Sequence, residues 1–112
     1  MILDSIHSPE DIRALDQNQL PQLCKELRQF LLENVSKTGG HLASNLGVVE
    51  LTVAIHRVFD TGTDRLVFDV GHQCYVHKML TGRMEAFTDP AKYDEVSGYT
   101  EPSESEHDAF II

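Results

Sequence analysis

Apolar residues recur at intervals of three and four along the first third of the chain, a spacing that is typical of an amphipathic helix. The most regular stretch starts near Asn18, has Pro21 in its first turn, and ends at Gly39-Gly40, where glycine permits a positive φ. Its apolar positions are Leu20, Leu23, Cys24, Leu27, Phe30, Leu31 and Val35. The pattern predicts one long helix with a single buried face.

Two further helices are indicated on either side of this one. The run Ser8-Pro9-Glu10-Asp11 favours a helix start, because serine caps the first turn, proline needs no N–H partner there, and acids face the positive end of the helix dipole. Residues 47–59 are rich in β-branched side chains that also suit a strand, but the stretch is longer than the usual strand of ~5 to 6 residues. Their apolar residues at helical spacing are Val48, Leu51, Ile55 and Val58. We therefore predict a helix.

The second half of the chain has a different pattern. Residues 65–70 form a short apolar run that ends at Gly71, which predicts a buried strand. Residues 75–80 have helical character closed by Gly82, and residues 84–87 add another turn. A single strand cannot make a sheet, so helices plus one strand indicate part of a larger α/β layer structure.

Charge and composition narrow the class of protein. The 112 residues include 18 acidic and 9 basic side chains, a formal net charge of −9. Binding to nucleic acid or to an anionic membrane needs clustered Lys and Arg, so we expect neither partner. No stretch approaches the ~18 apolar residues of a membrane span. We find no export signal, and two distant cysteines are typical of reduced thiols. We expect a cytoplasmic protein.

The acids are concentrated near the end of the sequence. Residues 94–108 contain six acidic side chains and no Lys or Arg, with glycine, proline and serine between them. Such a composition favours a solvated segment, so we interpret it as an exposed loop.

Two short segments carry more polar chemistry than packing requires. In residues 36–47, adjacent glycines, hydroxyls and His41 lie between two predicted helices, where the backbone can approach a ligand closely. The alternative is a helix stop followed by a helix start, with His41 simply exposed. In residues 69–73, His72 follows the predicted strand, at the strand end where α/β sheets collect ligands. The alternative is a turn in which His72 caps the next helix.

A metal site is not indicated by the remaining histidines and cysteines. His72, Cys74 and His77 are close in sequence, but a structural zinc site needs four ligands, and Cys24 lies on the apolar stripe. We therefore predict no metal ligands. His7, His56 and His107 have no partner constellation in the sequence, so we interpret them as surface residues.

Long ungapped stretches resemble a known family. They read S-K-T-G-G-H-L-A-S-N-L-G-V-V-E-L-T-V-A-I-H over residues 36–56 and F-D-V-G-H-Q-C-Y-V-H-K-M-L-T-G-R over residues 68–83. A third stretch, over residues 97–110, reads S-G-Y-T-E-P-S-E-S-E-H-D-A-F. The chain resembles, over nearly its whole length, the amino-terminal region of the 1-deoxy-D-xylulose-5-phosphate synthase family, which is transketolase-like.

The resemblance implies a fold class and a domain division. The fold would be α/β, as the incomplete amino-terminal part of a three-layer thiamine-diphosphate-binding fold, mostly helical with one parallel-type strand near residues 65–70. Residues 1–93 would form a partial thiamine-diphosphate-binding domain, and residues 94–112 an acidic loop and truncated end.

The resemblance also implies an activity. The family is a homodimeric, thiamine-dependent transferase that condenses pyruvate with glyceraldehyde 3-phosphate, releases carbon dioxide, and supplies isoprenoid, thiamine and pyridoxal synthesis. Its cofactors are thiamine diphosphate and Mg²⁺. By matching position, His72 would contact the cofactor, and His41 would be the catalytic residue near substrate, with an imidazole contribution of ~10² to 10⁴-fold in rate.

Two departures from the family pattern leave alternatives open. Residues 91–98 stand where the family has a Lys-Gly-Gly-Leu-like loop, and the sequence ends before the motifs that hold Mg²⁺. We therefore expect the metal-binding motif to be absent from this chain, and the chain alone to be inactive. One alternative is a non-catalytic interaction module that docks on a full-length or complementary synthase chain. Another is a degenerate product without function.

Overall fold

The computed structural model describes residues 1–38, 42–68 and 73–109. Five α-helices lie in these ranges: α1 (Pro9–Arg13), α2 (Leu20–Thr38), α3 (Leu42–Leu46), α4 (Val49–Val58) and α5 (Tyr75–Lys78). A π-helical segment follows at Met79–Arg83, and 3₁₀ helices cover Leu3–Ser5, Gln17–Gln19, Met84–Phe87 and Pro90–Glu95. The described part of the chain is mostly helical.

The predicted start of α1 is confirmed. Ser8 and Asp11 form a capping box, in which the Asp11 carboxylate accepts the Ser8 N–H at 3.1 Å, and Pro9 occupies the first turn. These contacts satisfy amide groups that the helix itself leaves without partners. The cap fixes where the chain turns into α1, which then packs against α4.

Helix α2 provides the centre of the core. Over residues 20–35, the buried side chains are most of the predicted apolar positions together with Glu26, whose carboxylate accepts the Leu3 N–H at 2.8 Å. Leu20 and Phe30 are only partly buried. Leu23, Leu27, Leu31 and Val35 have no exposed surface. The prediction of an amphipathic helix is therefore confirmed. The hydrogen bond between Glu26 and the amino-terminal 3₁₀ helix is a contact that the periodicity does not predict.

Helix α4 confirms that residues 47–59 are helical rather than extended. The predicted apolar stripe is wrong as the buried face, because Leu51 and Val58 are exposed, whereas Val49 and Val53 pack into the core. Arg57 donates hydrogen bonds to the carbonyl oxygens of Ile12 at 2.8 Å and Leu15 at 2.6 Å. These bonds occupy carbonyls at the end of α1 and hold the two helices together.

The region after α5 ends where the sequence indicates. Gly82 has φ of +99°, and a Cβ there would lie 3.3 Å from the His7 carbonyl oxygen. Any other residue would be strained in this conformation. The glycine therefore ends the helical segment and lets the chain turn into Met84–Phe87.

The predicted strand near residues 65–70 is wrong over residues 65–68, which carry no regular secondary structure. Val67 is 48% exposed, so this stretch is not buried either. A strand needs a neighbouring strand to complete its hydrogen bonds, and none occurs in the described ranges. Residues 69 and 70 lie outside the described residues.

The acidic segment also differs from its interpretation as an exposed loop. Thr100 and Asp108 are buried, and Glu104 binds two cations of the helical region. The boundary between residues 93 and 94 stays a prediction. Among the helices that the structure describes, none has the length and apolar character to cross a membrane.

Candidate functional site

The two histidines predicted to serve the site, His41 and His72, lie outside the described residues. The elements that follow them are described. Helix α3 begins one residue after His41, and α5 begins three residues after His72. The arrangement of these two short helices therefore defines where the two segments rejoin the fold.

A buried hydrogen bond joins α3 to α5. The Asn45 side chain is fully buried, and its Oδ1 accepts the backbone N–H of Tyr75, the first residue of α5, at 2.9 Å. The two residues are 30 positions apart in sequence. The segments that contain His41 and His72 therefore return to the fold at neighbouring places.

A pair of stacked histidines lies between α4 and α5. His56 of α4 and His77 of α5 are both fully buried, with ring centroids 4.9 Å apart and planes inclined by 19°. His56 Nε2 and His77 Nδ1 are 2.8 Å apart, the distance of a hydrogen bond. The interpretation of His56 as a surface residue is therefore wrong.

His77 continues this chain of hydrogen bonds to an acid. Its Nε2 lies 3.0 Å from Asp108 Oδ1 and 3.1 Å from the His107 carbonyl oxygen. Asp108 in turn accepts both terminal nitrogens of Arg83, at 2.7 and 2.8 Å, and the Glu101 N–H at 2.9 Å. The paired geometry of a guanidinium and a carboxylate is the strongest common form of this contact.

A second acid completes what we call the buried polar cluster, which consists of His56, His77, Lys78, Arg83, Glu104 and Asp108. Glu104 Oε1 accepts from Lys78 Nζ and from Arg83 Nη1, both at 2.9 Å. Lys78 has no exposed surface, and its Nζ also donates to the Ser97 carbonyl oxygen at 2.7 Å. Two acids thus balance two cations, and Arg83 and Glu104 are each 11% exposed.

The cluster changes the protonation behaviour of its members. Burial lowers the pKa of His56 from 6.5 to about 3, with further repulsion from His77, His107 and Arg13. Burial also lowers the pKa of His77, although the bond to Asp108 opposes this shift. For Asp108, burial raises the pKa, but the bonds from Arg83 and His77 outweigh it and hold the pKa below its usual range. At neutral pH the histidines are neutral and the acid is charged.

The two cysteines are buried and free. Burial raises the pKa of Cys74 to about 11, so its thiol keeps its proton, and its Sγ lies 3.8 Å from the Gly98 carbonyl oxygen. Burial likewise raises the pKa of Cys24. Both thiols behave as packing groups rather than as nucleophiles.

Comparison with known proteins identifies the family. The sequence family described as 1-deoxy-D-xylulose-5-phosphate synthase matches residues 3–112. The chain is 59% identical over 111 residues to the 1-deoxy-D-xylulose-5-phosphate synthase of Dechloromonas aromatica, and 56% identical over 109 residues to the one of Caldanaerobacter subterraneus. The chain belongs to the 1-deoxy-D-xylulose-5-phosphate synthase family, as the resemblance of its motifs indicates.

The alignments cover nearly all of this chain but a small part of each relative. The alignments include 99% and 97% of this chain but only 18% of each relative. A third relative, synthase 1 of Geobacter sulfurreducens, is 57% identical over 97% of the chain and 17% of its own length. The chain therefore spans less than a fifth of the length of these curated relatives.

The described residues relate the two segments that contain His41 and His72. The Asn45–Tyr75 bond joins the elements that follow these two segments. For the metal, no three His, Cys, Asp or Glu side chains in the described ranges come together as ligands. We therefore assign Mg²⁺ to no residue here.

Proposed function

We propose that this chain forms the amino-terminal part of the cofactor site of a thiamine-diphosphate-dependent synthase. The reaction would be the condensation of pyruvate with glyceraldehyde 3-phosphate, which releases carbon dioxide and forms 1-deoxy-D-xylulose 5-phosphate. Family membership supports the reaction, and the Asn45–Tyr75 bond is the observation in this structure that supports a shared site.

Two histidines would have separate roles in this proposal. His72 would hydrogen-bond the cofactor, and His41 would donate to, or move a proton at, the reacting carbonyl. Thiamine diphosphate supplies the nucleophilic carbon that the decarboxylation needs. A positioned imidazole contributes ~10² to 10⁴-fold in rate, so loss of His41 is expected to reduce turnover within that range.

Further family features belong to the same proposal. They are a three-layer thiamine-diphosphate-binding fold, Mg²⁺ on the diphosphate, a homodimer, and a place in isoprenoid and thiamine precursor synthesis in the cytoplasm. The family match supports the fold.

A chimera tests the proposed function. The matching 111 residues of the Dechloromonas aromatica synthase would be replaced by this chain, with which they are 59% identical. We expect carbon dioxide release from pyruvate that depends on glyceraldehyde 3-phosphate and on thiamine diphosphate with Mg²⁺. We expect His41→Ala to lower kcat by ~10² to 10⁴-fold, and His7→Ala, which changes an exposed histidine, to leave it unchanged. A folded chimera without turnover would reject the proposal.

The alternative, a non-catalytic module that docks on a synthase chain, has one observation in its favour. An apolar groove of about 630 Å³ lies between α2 and α4, with Leu20, Pro21, Val53 and Ala54 among its lining residues. If this alternative holds, the chain elutes together with an intact relative in size exclusion, and the chimera has no turnover.

A further inference from the structure

Helix α4 has an exposed apolar stripe in addition to its buried face. Leu51, Ala54 and Val58 lie three and four positions apart, so they share one side of the helix. Ala54 is exposed, and Leu51 and Val58 are 60% and 72% exposed. Phe59, which follows the helix, is 52% exposed. Adjacent exposed apolar side chains of this kind are typical of an interaction surface.

The stripe borders the apolar groove between α2 and α4. The apolar lining residues are Leu20, Pro21 and Cys24 of α2 and Val53, Ala54 and Val58 of α4. The lining covers residues 20–28 of one helix and residues 50–58 of the other. At 1.5 Å per residue each stretch is about 12 Å long, which is the length of about two turns of a helix.

The charges at the groove differ in sign from the charge of the whole chain. Among the described residues, the lining includes three of the nine Lys and Arg side chains, Lys25, Arg28 and Arg57, but one of the 18 acids, Glu50. Glu50 is paired with Arg28. The groove therefore has two positive charges in excess, whereas the chain has a formal net charge of −9.

The two excess cations are not neutralised by acids. Arg57 donates to the neutral carbonyl oxygens of Ile12 and Leu15, and Lys25 is exposed. Within the ranges that the structure describes, neither side chain forms an ion pair with a carboxylate. Both can therefore attract the acids of a partner that lies in the groove.

A groove between two helices fits the apolar face of a third helix, which is a common mode of peptide recognition. The apolar lining requires apolar side chains three and four positions apart on that helix, because these share one face. The excess of positive charge requires acids beside that face. The required partner is thus an acidic amphipathic helix.

We propose that the groove between α2 and α4 docks an acidic amphipathic helix of a separate polypeptide, with its apolar face against Val53, Ala54 and Val58 and its carboxylates beside Lys25 and Arg57. This inference goes beyond the proposed function and does not depend on it, because docking requires neither cofactor nor turnover.

Fluorescence anisotropy with two labelled peptides tests the proposal. Each peptide has about 15 residues, with leucines at positions i, i+3, i+4 and i+7 and either glutamates or lysines beside them. We expect the chain to bind the glutamate peptide at least about tenfold more tightly than the lysine peptide at low salt, and added salt to reduce the difference. No binding of the glutamate peptide, or equal binding of both, would overturn the proposal.

Substitutions locate the binding surface. Val58→Glu places a charge in the apolar groove, and we expect it to weaken binding of the glutamate peptide by at least about tenfold. Val67→Glu is the matched control, since Val67 is 48% exposed and lies outside the groove, and it should leave the affinity unchanged. Lys25→Glu should reduce the preference for glutamate over lysine. Equal affinities of the two valine variants, or an unchanged preference in Lys25→Glu, would overturn the proposal.

Two further measurements distinguish other occupants of the groove. Sedimentation of the chain that shows a dimer, which Val58→Glu dissociates, would assign the groove to a second copy and overturn the proposal. We expect the folded chimera to bind the glutamate peptide as the chain does. Loss of binding in the chimera would show that the rest of the synthase covers the groove. Should Val58→Glu not fold, the peptide preference of Lys25→Glu decides.

Discussion

Two buried regions of this small protein are stabilised by different kinds of contact. We call the apolar core around α2 the apolar interior and the buried polar cluster around α5 the polar interior. The face of α2 buries Leu23, Leu27 and Leu31 in an apolar core, and α2 packs against α3 and α4. Around α5, the buried polar cluster places two cations, two acids and two histidines in the interior. In an apolar core, the free energy of unfolding falls in proportion to the size of the side chain that is removed. In a polar cluster, removal of one partner leaves a buried charge without a counter-charge, which costs several kcal/mol.

This difference has a consequence for the order of the chain. Directional hydrogen bonds define one orientation of each ring and one path for residues 97–108, which apolar contact does not do. The polar interior lies next to Phe68 and α5, the elements that flank His72 in sequence. The apolar interior stabilises the fold by burial, and the polar interior also fixes the orientation of its side chains.

The largest expected effect on stability comes from removing a cation from the polar interior. Arg83→Met leaves Asp108 and Glu104 without a shared cation, so we expect a loss of about 3 to 5 kcal/mol in the free energy of unfolding. Urea denaturation measures it. Arg65→Met, the same change at an exposed arginine, should lie within about 0.5 kcal/mol of the unsubstituted chain. Equal stabilities of the two variants would show that the cluster does not hold the fold.

The free energy of unfolding should fall when a side chain of the apolar interior is made smaller. Leu27→Ala removes a fully buried side chain from α2, for which we expect a loss of about 2 to 5 kcal/mol in the same assay. Leu32→Ala on the same helix is the control, since Leu32 is 48% exposed and should cost less than about 1 kcal/mol. A larger loss at Leu32 would contradict the orientation of α2.

The pH dependence of stability separates the two interiors. Because the pKa of folded His56 is about 3 and its ordinary value is 6.5, the folded protein binds fewer protons than the unfolded chain between these limits. Its contribution is complete above pH 6.5 and is lost as the pH falls towards 3. Between pH 7 and pH 5 the loss is roughly 2 kcal/mol.

His56→Gln removes this titration while keeping a donor that can reach His77. We expect the free energy of unfolding of the variant to fall less steeply from pH 7 to pH 5, by roughly 2 kcal/mol. His7→Gln, at an exposed position, should keep the slope of the unsubstituted chain. An unchanged slope in His56→Gln would contradict the neutral, buried state of His56.

The smallest effect is expected at the surface. Arg28 and Glu50 form an ion pair between α2 and α4 with side chains 40% and 57% exposed. Water screens such a pair, so a double-mutant cycle with Arg28→Ala and Glu50→Ala should give a coupling of about 0 to 1 kcal/mol. A coupling comparable to that of Arg83 with Asp108 would remove the distinction between surface and interior charges.

The sequence predicts the apolar interior better than the polar one, for a physical reason. Helical periodicity and the Ser8 cap are local signals, so α1, α2 and α4 follow from residues within a few positions of one another. The bonds from His56 to His77 and from Arg83 to Asp108 span 21 and 25 residues, and no local pattern reports them.

The failures of prediction have the same origin. Residues 65–68 have the composition of a strand, but a strand depends on a partner that composition does not supply. The acids at Glu104 and Asp108 suggest solvent exposure until Lys78 and Arg83 are seen beside them. The roles of His41 and His72 stay predictions from the family resemblance.

Direct binding of thiamine diphosphate to the chimera tests the central claim that the His41 and His72 segments serve one cofactor site. Calorimetric titration in the presence of Mg²⁺ should show His72→Ala binding at least about tenfold more weakly than the unsubstituted protein. His41→Ala should bind the cofactor with little change while turnover falls. Unchanged affinity in folded His72→Ala would contradict the account.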